Sequence, residues 1–466
     1  MSSPATAFVR RDIWSLQPDD PIVTAYADAV KRMSERPANN PTSWSYQAAM
    51  HGTYAEPNKP GWNECQHGTW FFLPWHRMFL YYFERIVRAA VIEGGGPADW
   101  ALPYWNYGLG GEKAKLPLAF RGPRLADGKD NPLYVAERAE GMNSGEGFVP
   151  ARAASPAKAL ARLAFIGRAE FGGDRTEPAQ FSKSGGELEE TPHNIIHGLV
   201  GGRGPMGDIL RAAQDPIFWL HHANIDRIWW EWAGTASHQD PSEGAWRDQT
   251  FSFFDEHGQP VSLRCDQVLE TVADLGYTYV TEPPSAPGPV PVRPSVAAVS
   301  TPQREMIGAT EQGVVLTGEP ASVSVPIDAK ATEPFGSEVH VYLNVEEIEG
   351  ERNPGTGYAV YADLQTDLPV DAQSDRHVGN LSFFGIERAR EPAGDQAPHA
   401  LRSSFEITPI ARELEQRGEW AAHELRVTFE PLQLLAVAGA AENAVASAAH
   451  RDRPVRLGRI SVFYDA

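Results

Sequence analysis

Residues 72–92 read FLPWHRMFLYYFERIVRAAVI, and residues 215–232 read DPIFWLHHANIDRIWWEW. Both runs are too long for single strands, and both set helix formers among aromatic residues. The first stops at the triple glycine Gly94 to Gly96. The second opens on Asp215-Pro216, an aspartate cap with proline in the first turn. They are predicted to be buried helices. Each carries histidine on an apolar face, His76 in one and His221-His222 in the other. Burying an unpartnered polar group costs on the order of 1–3 kcal/mol. The helices that decide the fold therefore also ask what these imidazoles bind.

Asp20-Pro21 starts a further helix to about Glu35, and a short helix from Pro192 to Leu199 stops at Gly201-Gly202. Residues 1–280 thus read as a mainly helical domain, with long Gly/Pro/Ala-rich connections at 108–160 and 172–190. Residues 281–300 hold six prolines, which favours an extended linker, placed at 281–305. Beyond it the period changes to two. Val339, Val341, Leu343 and Val345 alternate with polar or amphipathic residues, as do stretches in 358–364, 425–429 and 460–464. Residues 306–466 are expected to form an all-β sandwich. The alanine-rich stretch 434–449 fits either a helix or a surface insertion.

Composition narrows the function. The chain's 41 Lys+Arg against 61 Asp+Glu give a formal charge of −20, which repels nucleic-acid phosphates and anionic headgroups. No apolar run approaches the roughly 18 residues of a membrane helix. Neither nucleic acid nor membrane is expected as a partner. Two cysteines, Cys65 and Cys265, rule out a disulfide framework and suit a reducing compartment. Arg10-Arg11 precedes no apolar segment, so it is read as a surface pair rather than an export signal. Seven of the 14 histidines lie between His51 and His222, and 12 of the 13 tryptophans lie at or before Trp246. The chemistry is therefore sought in the first domain.

His193 and His197 stand at i and i+4, the spacing at which two imidazoles on one helix face hold one metal ion. Alone, such a pair is more often a plain histidine pair. In company with His76, His222, His67 and His51, it suggests two groups of imidazoles facing each other across a four-helix bundle. Ligation by imidazole without carboxylates or a thiolate pair suits copper or zinc. Asp226, one turn after His222, is read as supporting a ligand or as pairing with Arg77 or Arg227.

These residues resemble the type-3 copper proteins: tyrosinases, catechol oxidases and molluscan-type hemocyanins. One motif is His67, then Phe72-Leu73, Trp75-His76-Arg77, Leu80 and Glu84; the other is Asp215-Pro216-Ile217-Phe218-Trp219, His222 and Asp226. The resemblance implies that His51, His67 and His76 bind one copper and His193, His197 and His222 the other, with His221 a neighbour. Cys65-Gln66-His67 resembles the Cys-x-His that carries a thioether between Cys65 and the ring of His67; a plain buried thiol is the alternative. Glu189 and Asn194 match residues that position a proton-accepting water in plant polyphenol oxidases, although Glu189 also sits in an acidic run with Glu187 and Glu190. Met206 and Ile209 fall where relatives place residues over the copper entrance; ordinary core packing is the competing reading.

The implied cofactors are two copper ions, with dioxygen as co-substrate. The implied activity is oxidation of o-diphenols to o-quinones and ortho-hydroxylation of monophenols. Leu102–Asn106 and Leu275–Tyr279 also look like landmarks of the family's catalytic domain. The C-terminal domain is similar in style to those that cover the site in latent forms. An oxygen carrier of hemocyanin type is the alternative, and a dizinc hydrolase is disfavoured because no bridging carboxylate accompanies the histidines. Without the plant enzymes' transit peptide and N-terminal cysteines, the chain is expected to be a bacterial cytoplasmic protein. The sequence does not give the oligomeric state.

Overall fold

The computed structural model describes residues 7–182, 185–281, 304–310, 312–328, 339–364, 369–370, 373–388, 400–420, 424–436 and 452–465. The chain divides into two compact units, one formed by Met1–Pro291 with Leu434–Ala440, the other by Val292–Gln433 with Ala441–Ala466. Most of the proline-rich linker lies outside the described residues, as does most of the alanine-rich stretch.

The first unit is built on helices α1 (Pro21–Glu35), α2 (Trp44–His51) and α3 (Phe72–Glu93), two single turns α4 (Ala151–Ala154) and α5 (Ala157–Leu160), then α6 (Ile195–Gly201) and α7 (Ile217–Ala233). Asp20 caps α1 by accepting from the Ile22 N–H at 2.8 Å. Ser43 caps α2 through the Tyr46 N–H, and Asp215 accepts from the Ile217 N–H at the start of α7 while paired with Arg138. Helix α3 has no side-chain cap; Pro74 in its first turn removes one of the N–H groups a cap would serve. It is buried almost all round and packs against α1 and α7. The Phe83 and Trp219 rings stack between α3 and α7 with centroids 3.3 Å apart.

Before α6 the chain differs from the predicted helix. Residues Glu189–Asn194 form a wide helical turn broken at Thr191, whose φ of −142° and ψ of 121° are extended. The regular helix starts only at Ile195. Wide turns of this kind often accompany functional sites.

A parallel pair, β1 (Phe8–Arg10) with β5 (Tyr277–Tyr279), joins the two ends of this unit. It corrects one expectation: Arg11 is exposed, but Arg10 is fully buried. Its Nε donates to Glu84 at 2.7 Å and its Nη1 to Asp226 at 3.1 Å, and its guanidinium lies 3.7 Å from the ring centre of Tyr277.

The second unit pairs two antiparallel sheets. One orders β11 (His377–Leu381), β10 (Gly357–Ala362), β13 (Glu424–Leu432) and β8 (Ala321–Pro326). The other orders β12 (Leu401–Glu406), β9 (His340–Glu349), β15 (Val455–Asp465) and β6 (Arg304–Ala309), with β7 (Val314–Leu316) also on β15. Strand β6 already begins at Arg304, inside the segment assigned to the linker. Val341, Leu343 and Val345 of β9 are fully buried. So is Asn344 of the same strand, and helix α9 (Thr408–Gln416), absent from the period-two reading, packs against β9.

Candidate metal centre

Four helices, the wide turn before α6 and one loop bring the candidate histidines together. His51 ends α2, His76 lies in the second turn of α3, His193 in the wide turn, His197 on α6 and His222 on α7, while His67 precedes α3. All six are 0–3% exposed.

Most of them are held by the ring nitrogen that faces away from the centre. Nδ1 of His51 bonds the Ile209 carbonyl at 3.0 Å, Nδ1 of His76 that of Phe72 at 2.8 Å, and Nδ1 of His197 that of Met206 at 2.8 Å. His193 uses a side chain instead, donating from Nδ1 to Asn194 Oδ1 at 2.9 Å. His67 interacts with the Gln180 backbone. A neutral imidazole that donates through Nδ1 keeps its lone pair on Nε2.

Those second nitrogens converge. His197 Nε2 lies 3.1 Å from His193 Nε2 and 3.4 Å from His222 Nε2. Ligating atoms of His51, His76 and His222 fall within 4.8 Å of one another, as do those of His51, Cys65 and His67. His76 and His222 stack at 4.5 Å with planes 15° apart, which brings the halves contributed by α3 and α7 face to face. Nε2 of His51 and of His76 is buried with no hydrogen-bond partner. Burial pushes every one of these imidazoles, and His221 too, below its ordinary pKa, His51 and His221 to about 3. Buried, neutral, converging imidazoles with nitrogens left over are a donor set suited to copper.

Two glycines permit the carbonyl anchors. A Cβ on Gly52 would stand 2.8 Å from the Ile209 oxygen that holds His51 and 2.6 Å from Leu210 Cα. One on Gly201 would meet the Gly207 backbone, next to the Met206 carbonyl that holds His197. Met206 and Ile209, singled out as entrance residues, thus also anchor one histidine from each group through their backbones. Both side chains are fully buried.

The acidic run divides. Glu187 is paired with Arg162 at 3.0 Å. Glu189 is buried; its Oε1 accepts from the Gly68 N–H at 2.8 Å, and its Oε2 has no partner. Burial pushes its carboxyl well above the usual range, against the pull of that N–H. Glu190 is half-buried, and burial raises its carboxyl to about 7 while the Asn194 amide opposes the shift. Asp226 pairs with Arg77 at 2.5 Å and with Arg10; Arg227 pairs with Glu231 instead.

Comparison with known proteins agrees with this geometry. Residues 41–147 and 167–235 match the common central domain of tyrosinase, 240–285 the polyphenol oxidase middle domain, and 303–465 a domain of unknown function. Tyrosinase HcTyr1 of Hahella sp. (strain CCB-MM4) is 32% identical over 444 residues, covering 88% of this chain and 92% of that protein. (+)-Larreatricin hydroxylase of Larrea tridentata is 30% identical over 283 residues, 56% of this chain and 47% of its own length. The chain thus spans about half of that plant relative. In fold it is similar to latent apple tyrosinase (TM-score 0.62, 22% identity, 100% and 98% of the two chains) and to latent aurone synthase (0.64, 20%, 99% and 90%). These names are of oxidising enzymes, which does not favour the oxygen-carrier reading. With a curated tyrosinase aligned along nearly its whole length and a ring of buried imidazoles fit for two copper ions, the chain belongs to the tyrosinase and polyphenol oxidase family of dicopper proteins.

Proposed function

We propose that this copper-dependent phenol oxidase converts o-diphenols to o-quinones and also ortho-hydroxylates monophenols, with His51, His67 and His76 holding one copper and His193, His197 and His222 the other. The observation that carries the reading is the convergence of six buried neutral imidazoles, most of them anchored from behind. When bound, the copper pair supplies a two-electron exchange with dioxygen.

The protein's own groups do the rest. Phe72 and Phe218 pack against His193 and His222 and are proposed to keep water from the centre. A phenol, with a pKa near 10, gives up its proton only to a positioned acceptor. Glu189 Oε2, buried and without a donor, is proposed to take that proton, directly or through a water held with Asn194. Asn194 orients His193 by accepting from its Nδ1. Met206 and Ile209 are proposed to border the entrance, since their segment reaches both histidine groups.

We also propose that the β domain, 306–466, covers the centre in a latent form and that a cut in 281–305 releases it. The relatives of like fold named above are latent forms. The test is steady-state turnover of catechol and tyramine by the copper-loaded protein, intact and clipped. Catechol turnover, slower or lagging tyramine turnover, and faster rates after clipping are expected. Reversible dioxygen binding with neither substrate turned over would restore the carrier reading, and equal rates before and after clipping would remove the lid.

A further inference from the structure

Where α6 and α7 meet, four histidines converge rather than three. One nitrogen each from His193, His197, His221 and His222 lies within 4.8 Å of the others. His221 is fully buried. It stacks on His193 with centroids 5.3 Å apart and planes 20° apart, and stands edge-on to His197. Its Nε2 has no hydrogen-bond partner. The proposed ligand set leaves this ring out, so its placement needs another account.

Its Nδ1 lies 3.0 Å from the Tyr107 hydroxyl. The direction of that bond follows from a chain that starts at a group able only to donate. Arg227 Nε donates to Asn224 Oδ1 at 2.9 Å. A guanidinium has no acceptor, so the amide oxygen must face Arg227 and the amide nitrogen must face the other way. That nitrogen interacts with the Tyr107 hydroxyl and has no other acceptor in reach. With an N–H aimed at its oxygen, Tyr107 directs its own proton to His221 Nδ1. The opposite arrangement, with the proton on Nδ1, would leave the buried Tyr107 O–H without an acceptor, which is the costlier choice. A neutral imidazole carries one ring proton. If Nδ1 accepts, the proton is on Nε2, the buried nitrogen left without a partner on a ring that packs against His193, His197 and His222.

We propose that His221 is a hydrogen-bond donor to a small anion held at the His193, His197 and His222 side of the centre, its Nε2–H fixed by the Arg227–Asn224–Tyr107 chain, and that it is not a metal ligand. The inference rests on the dicopper reading above. Tyr107 and Asn224 act as positioning residues, and the bare alternative, an Nε2 lone pair, would make His221 a seventh ligand.

The test uses the copper-loaded full-length protein, His221→Phe and Tyr107→Phe, each titrated with sodium azide and followed by the azide-to-copper charge-transfer band, with copper per chain measured in parallel. Phenylalanine keeps the stacking on His193 at position 221, and Tyr107→Phe removes a single oxygen should the first variant fold poorly. Both variants are expected to hold as much copper as the parent. Azide affinity should fall about tenfold or more in His221→Phe and to an intermediate extent in Tyr107→Phe. Loss of one copper in His221→Phe would make it a ligand and overturn the proposal, as would azide affinities equal to the parent's in both variants. A parent that fails to hold two coppers would refute the dicopper reading itself, a result distinct from either.

Discussion

Replacing Asp226 with asparagine should destabilise the first unit by about 3 kcal/mol, the lower end of what breaking a buried ion pair costs. The Asp226 carboxylate accepts from Arg77 Nε at 2.5 Å, Arg10 Nη1 at 3.1 Å, Tyr277 Oη at 2.5 Å and Tyr279 Oη at 2.6 Å. An amide offers one oxygen to these four donors and sets its own N–H groups against the remainder. The low end is appropriate because neither arginine is stranded. Arg10 keeps Glu84 at 2.7 Å, and Arg77 keeps the Val268 carbonyl at 3.0 Å. The effect should reach the metal centre, since Arg77 follows His76 on α3 and Asp226 lies one turn after His222 on α7. Urea unfolding followed by tryptophan fluorescence reads this unit, because 12 of the 13 tryptophans fall at or before Trp246. The sign with pH is also fixed. Burial works against the charged carboxylate, but Arg77 and Arg10 hold it below the usual range. This stabilisation is therefore present above the unfolded pKa, near 3.9, and is lost as pH falls through the folded value. A loss under about 1 kcal/mol at neutral pH, against the range expected for a broken buried pair, would refute the argument that this carboxylate ties α3 to α7.

Gly52→Ala should lower copper occupancy rather than merely slow turnover, because its Cβ would stand 2.8 Å from the Ile209 oxygen that orients His51; full copper content by metal analysis would contradict this. In the metal-free protein, stability should fall as pH drops from about 6.5 toward 3. Burial lowers the folded imidazole pKa values, His51 and His221 to about 3, so the unfolded chain binds protons first; stability that stays flat between neutral pH and about 5 would be incompatible with that count. If Cys65 and His67 are joined by a thioether, copper-loaded protein should yield a cross-linked peptide lighter by two hydrogen atoms. The same digest of Cys65→Ser should lack it, and uncross-linked peptides from both would rule out the bond.

The parts of this molecule that sequence made legible are those whose signal is local. His76 and His222 could be found because each sits in a run of apolar helix formers, where an imidazole is conspicuous, and because the flanking residues form a recognisable motif. What stayed hidden depends on partners far along the chain. Arg10 looked like a surface residue, yet its carboxylates lie 74 and 216 residues away. The anchors of His51 and His197 are backbone carbonyls, and a carbonyl has no letter in a sequence. Gly52 and Gly201 carry that information only indirectly, as places where a side chain would not fit. Glu190 is masked by its neighbours: three acids close together read as a solvated run, and only the fold shows that Glu187 pairs with Arg162, Glu189 is buried and Glu190 is half-buried beside Asn194. In the β domain, period two reported one face of β9 and was silent about α9, which packs against that strand from a later segment. The same division holds within the centre. The rings that can meet a metal announce themselves by spacing, whereas the tautomers of His51 and His197 are decided by carbonyl oxygens on other segments. Which histidines are present is therefore readable from the chain, but which nitrogen each one offers is a property of the fold.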